Sequence, residues 1–257
     1  MAKKEETRYV AENLFEGIVS FRALIDIQNS VFNERKIKKV YYAEEKLKKN
    51  KGEFSYIKAK SYEFSFETEL VPMSVIDEMT IGTSHGGIAI QTGDREIPVL
   101  SEDFIKENGF YVVLEGIEDP YNFGYALRSL YAAGVDGVIL TPRNWMSAAG
   151  VVCRSSAGAS EMLPMVLADA GLEFFREKGY KIVCADIENS VSVYEADLSR
   201  PLLLVVGGEK RGISRSVLDI ADTVVRLDYG RDFPAALSAA SAASIIAFEV
   251  YRQGRGV

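Results

Sequence analysis

From Phe110 onward, short runs of apolar residues alternate with longer segments in which apolar residues recur every three or four positions. The short runs predict buried strands at Tyr111–Leu114, Gly137–Leu140, Lys181–Ala185, Leu202–Val206 and Thr223–Leu227. The longer segments predict helices around Asn122–Ala133, Ala170–Lys178, Ser214–Ala221 and Ala235–Arg252. Strands that alternate with helices are typical of a parallel sheet covered on both faces, so this part of the chain is predicted to be α/β.

The chain before Phe110 has a more mixed pattern, which predicts a smaller α/β domain. Its two helices and two strands are predicted at Asn13–Ser30, Lys38–Ala43, Val75–Thr80 and Gly87–Gln91, in the order helix, strand, helix, strand. The polar, turn-rich stretch QTGDREIPVLS at Gln91–Ser101 then marks a boundary. We therefore predict a first domain at residues 1–98, a linker at 99–109 and a second domain at 110–257.

The composition is that of an ordinary globular protein from a reducing compartment. Of 257 residues, 47% are apolar and 26% are charged. Met1–Val10 has no apolar run behind its lysines, so no signal peptide is expected, and the weakly polar Pro234–Phe248 is too short to cross a membrane. Two cysteines, Cys153 and Cys184, fit neither a disulfide framework nor a metal site. We expect a cytoplasmic protein with no metal and no membrane partner.

The single histidine, His85, restricts the chemistry that the chain can perform. Hydrolysis by a Ser-His-Asp triad, metal sites with several histidines and histidine relays are nearly excluded within one chain. Any catalysis must therefore use arginine, glutamate, serine, asparagine or main-chain groups.

The net charge of −7 conceals a basic patch in the first domain. Between Arg35 and Lys60 there are ten Lys/Arg residues and three acidic residues, with Tyr41 and Tyr42 between the basic runs RKIKK and KLKKNK. A charge run of this kind is usually a solvated surface, and the alternative is a contact surface for nucleic acid. The residues of the patch that we assign to nucleic-acid binding are Arg35, Lys36, Lys38, Lys39, Lys48 and Lys49.

The unusual residues of the second domain follow its predicted strands. In open α/β sheets, ligands bind beyond the carboxyl ends of the strands. The segments in those positions are EGIEDPYNFG, ADIENS, GGEKRG and DYGRDFPAALS. The main-chain N–H groups of the turn GGEKRG could hold a carboxylate, a phosphate or an adenine edge, although the turn matches neither a P-loop nor a dinucleotide fingerprint.

The segment that begins EDPYNFG predicts a helix that starts close to a ligand. Pro120 and Asn122 make a turn and a helix start, and Gly124 leaves room for close approach by a backbone or a ligand. Arg128 is one helical turn beyond Gly124, so the two lie on the same side of the helix. Taken alone, Arg128 would more often extend along the surface or pair with a neighbouring carboxylate, either Glu115 or Asp119.

In order along the chain, these segments resemble the SpoU–TrmH family of the SPOUT superfamily, which are S-adenosylmethionine-dependent RNA ribose 2′-O-methyltransferases. EDPYNFGYALRSLYAAG resembles the first motif, CRSSAGASEMLP the following Ser-x-Gly-Ala segment, and VVGGEKRGIS the second motif. LDYGRDFPAALSAASAASIIAFEVYRQ falls where the third motif belongs. The resemblance covers about Phe110 to Gln253. The first hundred residues resemble the small RNA-binding domain, akin to a ribosomal-protein fold, that often precedes such catalytic domains.

The resemblance implies a C-terminal trefoil knot, an S-adenosylmethionine cofactor, a ribosomal or transfer RNA substrate and a homodimer. It assigns Arg128 to the reacting hydroxyl or its adjacent phosphate, with Asn122 and Glu209 in support. The cofactor would be bound by the loops that contain Gly207, Gly208, Leu227, Tyr229 and Leu237. Four alanines, which would permit close packing at the dimer interface but would equally suit a core within the chain, are Ala236, Ala239, Ala240 and Ala243.

The third motif departs from the family pattern. The family has Ser-Leu-Asn and a second serine two residues later, and the matching positions here are Ala236, Leu237, Ser238 and Ala240. Ser238 is the one hydroxyl left to act in catalysis. The first hypothesis is an RNA ribose 2′-O-methyltransferase. Two alternatives stay open: a catalytically weak or inactive RNA-binding protein that keeps the fold, and a methyltransferase with a non-RNA acceptor.

Overall fold

The computed structural model describes residues 13–80, 84–141, 148–168, 172–208 and 212–255. The chain divides into two compact units. The first unit contains residues 1–96 together with 144–162, and the second contains residues 97–143 and 163–257.

The first unit is built on a four-stranded mixed sheet with the order β1-β4-β2-β3. These strands are β1 (Leu14–Glu16), β2 (Ile37–Ala43), β3 (Glu67–Val71) and β4 (Ile88–Thr92). β4 pairs antiparallel with β1 and β2, whereas β2 and β3 are parallel. The helices are α1 (Gly17–Asp26), α2 (Glu44–Lys49), α3 (Lys51–Phe64), α4 (Met73–Met79), α6 (Ala149–Ser155) and α7 (Ala159–Met162).

The helix predicted over Asn13–Ser30 is wrong at both ends. Its first residues form β1, which pairs with β4, and α1 begins only at Gly17 and ends at Asp26. Gly17 has a φ of +79°, a value that glycine adopts readily and that turns the chain from strand to helix. β1 has only three residues, which are too few to show the alternating pattern that predicts a strand.

Residues 148–162 belong to the first unit, and apolar side chains of this segment pack into its core. Cys153 is fully buried in a cluster that includes Phe15, Phe21 and Leu24. Gly158 (φ +91°) lies so close to Ala23 that a Cβ atom would not fit between them. This segment was predicted to belong to the second domain, yet it contributes to the core of the first unit.

The second unit contains a seven-stranded sheet in which all neighbouring strands are parallel, with the order β7-β6-β5-β10-β8-β11-β9. The strands are β5 (Phe110–Glu115), β6 (Gly137–Leu140), β7 (Met165–Leu167), β8 (Lys181–Ala185), β9 (Val191–Ser192), β10 (Leu202–Gly207) and β11 (Thr223–Arg226). β5 and β10 form the centre, and nearly all their residues are buried. The predicted parallel α/β sheet is confirmed.

The helices of the second unit are α5 (Pro120–Ala132), α8 (Glu173–Glu177), α9 (Arg215–Leu218) and α10 (Ala239–Gly254). α5 and α10 pack against each other. α10 begins four residues later than the sequence predicted, because the Ser238 hydroxyl accepts a hydrogen bond from the main-chain N–H of Ser241 (3.2 Å) and caps the helix. Residues 234–238 are therefore a loop that precedes the helix.

Burial removes both cysteines from reactive chemistry. Cys153 and Cys184 are free and buried. Burial raises the pKa of each thiol to about 12, so both are protonated at neutral pH and neither is a nucleophile. No helix within the described parts of the chain is long and apolar enough to cross a membrane.

Candidate active site

A cavity of about 280 Å³ lies at the carboxyl ends of three neighbouring strands of the second unit, β10, β8 and β11. Its wall is formed by the loops that follow these strands, by the loop before α10 and by the first turns of α10. This volume is near the lower end of the range of small-molecule sites, which is about 300–1,000 Å³. The carboxyl edge of a parallel sheet is where ligands of α/β proteins bind.

Paired glycines form the turn at the end of β10. The main chain of Gly207 touches the main chain of Gly212, and that of Gly208 touches Gly116, the residue after β5. A Cβ atom at either position would collide with these backbone atoms. The N–H of Gly212 donates to the carbonyl of Gly208 (2.9 Å), so the turn closes on itself. Glycine is required here because two backbone segments meet beside the cavity.

All five residues predicted to bind a cofactor line this same cavity. They come from the turn at the end of β10 and from the single loop between β11 and α10, and they are Gly207, Gly208, Leu227, Tyr229 and Leu237. The Tyr229 hydroxyl accepts a hydrogen bond from the N–H of Leu237 (3.1 Å) and thereby joins the two ends of that loop. The structure thus brings these residues together, while their role in holding S-adenosylmethionine stays a prediction.

One polar residue of the cavity wall, Asp186, was not predicted from the sequence. Asp186 follows β8 and is half-buried, and its Oδ1 accepts hydrogen bonds from the main-chain N–H groups of Ile187 (2.7 Å) and Glu188 (3.2 Å). These bonds fix the carboxylate at the start of the loop. The sequence signal was its position in ADIENS, directly after a strand end.

Arg226 connects the loops that follow β8 and β11. Its guanidinium donates from Nε to Asp228 Oδ1 (3.0 Å) and from Nη1 to the carbonyl of Ser190 (2.5 Å). Arg226 also lines the cavity. Because its positive charge is paired with Asp228, we assign it the role of holding the wall in place.

The wall fits a ligand that combines a flat apolar ring with polar groups. Apolar side chains, which include Val206, Val225 and Ile246, cover most of the wall, and Asp186 adds one carboxylate. The glycine turn presents main-chain groups that no side chain hides. Adenosine offers an apolar base, polar ring edges and ribose hydroxyls, so this set of groups is suited to S-adenosylmethionine.

Arg128 is exposed on α5 and does not line the cavity. The start of α5 is as predicted, with Pro120 at its first position and the Asp119 carboxylate accepting from the N–H of Asn122 (2.8 Å). No hydrogen bond or ion pair joins Arg128 to any other residue that the structure describes, so pairing with Glu115 or Asp119 does not occur. The guanidinium is therefore available to a ligand.

Of the other predicted catalytic residues, Ser238 lies at the start of α10. Ser238 is next to the cavity-lining residues Leu237 and Ala239, but its hydroxyl is engaged by Ser241, from whose N–H it accepts and whose own hydroxyl is 3.0 Å away. Glu209 lies outside the described residues. Within a single chain, the structure thus does not bring Arg128 to the cavity beside Ser238.

Arg35 differs from the rest of the predicted RNA-binding set because it is buried. Its guanidinium donates to Glu161 (3.2 Å), to the Asn13 side chain (2.7 Å) and to the carbonyl of Gly93 (2.9 Å). Only 2% of its surface is accessible. The structure therefore contradicts a surface contact by Arg35, whose charge stabilises the first unit instead. The run RKIKK gave no signal that one of its members would point inward.

Two of the five lysines in the predicted RNA-binding set bond to other residues of the chain, and three make no ion pair with the described residues. Lys39 pairs with Glu69 (2.8 Å) and Glu67 (3.5 Å) on β3, and the hydrogen bond that its ammonium donates to Glu69 raises the pKa of Lys39. Lys36 donates to the carbonyl of Gln28 (2.5 Å). The other three, which are exposed and make no ion pair with the described residues, are Lys38, Lys48 and Lys49.

His85 holds a turn. Its Nδ1 accepts from the N–H of Gly87 (3.1 Å), so its proton is on Nε2, which lies 2.9 Å from Asp77 Oδ1. The side chain is buried. Among the described residues, no three His, Cys, Asp or Glu side chains are grouped as ligands for a metal ion.

The sequence model of the SpoU rRNA Methylase family matches residues 109–248 of this chain. A 23S rRNA (guanosine-2′-O-)-methyltransferase of Shewanella oneidensis is 30% identical to the chain over 201 residues, which are 75% of this chain and 80% of that protein. The region matched by the family model contains every residue that lines the cavity.

Solved structures share the fold. A crystal structure of an RNA 2′-O ribose methyltransferase superposes with a TM-score of 0.76 at 21% identity, covering 94% of this chain and 88% of the other. The AdoMet-bound rRNA methyltransferase of Sinorhizobium meliloti gives a TM-score of 0.73 at 23% identity, covering 93% of this chain and 86% of the other. The predicted fold class, a SPOUT-like parallel-sheet unit with a small α/β unit before it, is confirmed.

Proposed function

Because the chain belongs to the SpoU rRNA methylase family, we propose that it is an S-adenosylmethionine-dependent RNA methyltransferase that modifies a ribose 2′-hydroxyl of ribosomal or transfer RNA. The observation that carries the proposal is the family match over 109–248, a region that contains a cavity built from the loops the motifs had singled out. Arg128, which is exposed and forms no ion pair with the residues that the structure describes, would supply the second element that such a reaction needs.

The reaction would join the ribose 2′-oxygen to the methyl carbon while the bond between methyl and sulfur breaks, which leaves a neutral thioether, and the hydroxyl would give its proton to the adjacent RNA phosphate or to water. When bound, S-adenosylmethionine supplies a methyl group on a positively charged sulfur. The chain's own task is to align the attacking oxygen with that methyl, which lowers the entropy cost of reaction. The cavity wall would bind the cofactor through the Gly207–Gly208 turn, the loop after β11 and Asp186.

Arg128 would hold the reacting hydroxyl or its neighbouring phosphate. A guanidinium cannot act as the base, because its pKa is too high for it to give up its proton. Its planar fork suits a phosphate, to which it can donate two parallel hydrogen bonds. Asn122 and Glu209 would support this group, and Ser238 would present a hydroxyl at the start of α10.

Labelled S-adenosylmethionine incubated with the protein and total RNA tests this function directly. We expect label in RNA, at a ribose that resists alkaline cleavage on its 3′ side because its 2′-oxygen is blocked. Cofactor binding without transfer to any RNA would favour the RNA-binding protein, and label in a small molecule or protein would favour the non-RNA acceptor.

Filling the cavity is expected to abolish cofactor binding without unfolding the chain. Ala242 lies on α10 at the cavity wall and is partly exposed, so Ala242→Phe would place a ring in the space for the ligand. We expect the dissociation constant in calorimetry to rise about a hundredfold or more. Ala242→Ser is the matched control and should bind normally. Equal binding by Ala242→Phe and wild type, at unchanged thermal stability, would contradict this site for the cofactor.

We also propose a homodimer that uses the outer face of α10. Of the four alanines considered for an interface, Ala236 is exposed in the loop before α10, whereas Ala239, Ala240 and Ala243 are buried within the chain. The opposite side of the helix instead exposes Ile245, Phe248 and Tyr251 at 38–46% of their surface, and a shallow groove borders this face. Large apolar groups that are exposed together on one helix face favour association with another surface.

Introducing charged residues on that face of α10 is expected to dissociate the dimer. We expect wild type to sediment as a dimer and Ile245→Asp/Phe248→Asp to sediment as a folded monomer, since two buried carboxylates at an interface are costly. Val31→Asp, which alters an apolar residue exposed in the first unit, should remain dimeric. A monomeric wild type would refute the proposal.

We place the protein in the cytoplasm, which both free cysteines favour. The first unit would bind the RNA through its basic surface, because each lysine that contacts a phosphate releases condensed counterions.

A further inference from the structure

Ion pairing divides the lysines of the first unit into two sets. Lys39 and Lys46 each pair with a glutamate on a neighbouring strand or helix, and Lys60 pairs with Glu63 one turn further along α3. Lysines 48, 49, 51 and 58 make no ion pair with any residue that the structure describes. These four uncompensated lysines lie on α2 and α3, whereas β2 contributes Lys38 alone, because Lys39 is neutralised.

The uncompensated lysines of α3 share one side of the helix with an exposed aromatic ring. Residues 51, 55, 58 and 62 follow the spacing of four, three and four that places side chains on one face. This stripe reads Lys51, Ser55, Lys58, Tyr62, and it extends about 16 Å along the helix. A different side of α3, which contains Ile57 and Ser61, is buried.

The ring of Tyr62 extends into solvent and is not packed into the core. It is 80% exposed, whereas Tyr56 on the same helix packs edge-on against the buried ring of Phe21 (5.9 Å between centroids). The ammonium of Lys58 lies 5.8 Å from the centroid of Tyr62. An aromatic ring beside a row of lysines is the arrangement by which proteins hold single-stranded nucleic acid, with bases stacked on rings and phosphates on lysines.

We propose that this stripe, together with Lys48 and Lys49 at the end of α2, is the surface that binds an unpaired segment of the RNA substrate. The inference rests on the proposed function and names the substrate class that the first unit would recognise. Duplex RNA is disfavoured because its stacked bases give Tyr62 no free face, whereas an unpaired base stacks on the ring.

The test uses the full-length protein and two labelled probes of equal length, a single-stranded oligouridylate and an RNA duplex. The variant K49Q/K51Q/K58Q should weaken binding of the single strand and lower the salt slope by about 0.7 for each phosphate that a lysine no longer neutralises. K39Q/K46Q/K60Q, which removes the same charge from paired lysines, should change binding much less. An equal loss of single-strand affinity in both variants would show that binding depends on net charge alone, and would refute the proposal.

Tyr62 provides the decisive comparison because its substitution leaves the charge unchanged. Tyr62→Ala should weaken binding of oligouridylate by about 5- to 100-fold, and Tyr62→Phe should keep most of the affinity since it retains the ring. Binding of duplex should be the same in both. No effect of Tyr62→Ala on the single strand, or a wild-type preference for duplex, would overturn the inference.

Cofactor binding and methylation of total RNA, measured on the same variants, separate this inference from the proposed function. Stripe variants should bind S-adenosylmethionine normally and show a raised KM for RNA with little change in kcat. If wild type methylates RNA but the stripe variants bind RNA as tightly as wild type, the proposed function stands and the stripe is refuted. If wild type methylates no RNA but its stripe still binds the single strand, the stripe stands and the proposed function is refuted.

Discussion

Arg128→Ala is expected to abolish methyl transfer, with a fall in rate of about a thousandfold or more, while the affinity for S-adenosylmethionine stays nearly unchanged. Removal of a single preorganised donor from an active site typically costs two to three orders of magnitude in rate. Arg128 makes no ion pair or hydrogen bond with other described residues and does not line the cavity. Its loss should therefore harm neither the fold nor the cofactor site.

Single-turnover transfer to RNA and calorimetry of the cofactor together measure this separation. Arg128→Lys should restore little, because an ammonium cannot reproduce two parallel hydrogen bonds to a phosphate. Arg255→Ala, which removes an exposed arginine from the end of α10, is the control and should be active. Fast turnover by Arg128→Ala would show that the active site is elsewhere.

Ser238→Asn is expected to raise the rate of methyl transfer, by up to about a hundredfold. The family pattern has asparagine here. Ser238 caps α10 through its hydroxyl, and asparagine caps helices as well as serine does, so the substitution should not destabilise the helix. An asparagine that caps through Oδ1 keeps two N–H donors free for the substrate, whereas the serine offers one hydroxyl.

Ser238→Ala tests whether the existing hydroxyl matters. It should cost about 1 kcal/mol of stability through the missing cap, which thermal unfolding measures. Ser244→Ala, which removes a hydroxyl in the same helix that only bonds back to the carbonyl of Ala240, is the control for that helix. An unchanged rate for Ser238→Asn would mean that the loop, rather than the missing amide, limits catalysis.

The positions of five of the seven parallel strands were predictable from the sequence because burial on both faces leaves continuous apolar runs, whereas β7 and β9, with three and two residues, are too short to show one. Gly137–Leu140 and Lys181–Ala185 were predicted with their actual limits. β3 was missed because an edge strand exposes most of its side chains, and ETELV reads as polar. The short helices α6 and α7 lack the length over which a helical period can be seen.

The candidate site was predictable in its members and only partly in its geometry. The glycine turn and the residues Leu227, Tyr229 and Leu237 follow strand ends, so sequence order with the rule for α/β sheets places them at one edge. Asp186 was missed because a lone carboxylate after a strand has no distinguishing pattern. The separation of Arg128 from this cavity depends on how α5 packs, which the spacing within one helix does not determine.

The sequence by itself determined the alternation of strands and helices, the family to which the chain belongs and the loops that carry its unusual residues. These properties are local, since each depends on a period or a motif within a short segment. Only the tertiary structure decided which charges are available. Arg35 and Lys38 are neighbours in one basic run, yet Arg35 is buried against Glu161, 126 residues away, and Lys38 is exposed. The partner that neutralises a charge is fixed by packing across the chain, so no local pattern can reveal it.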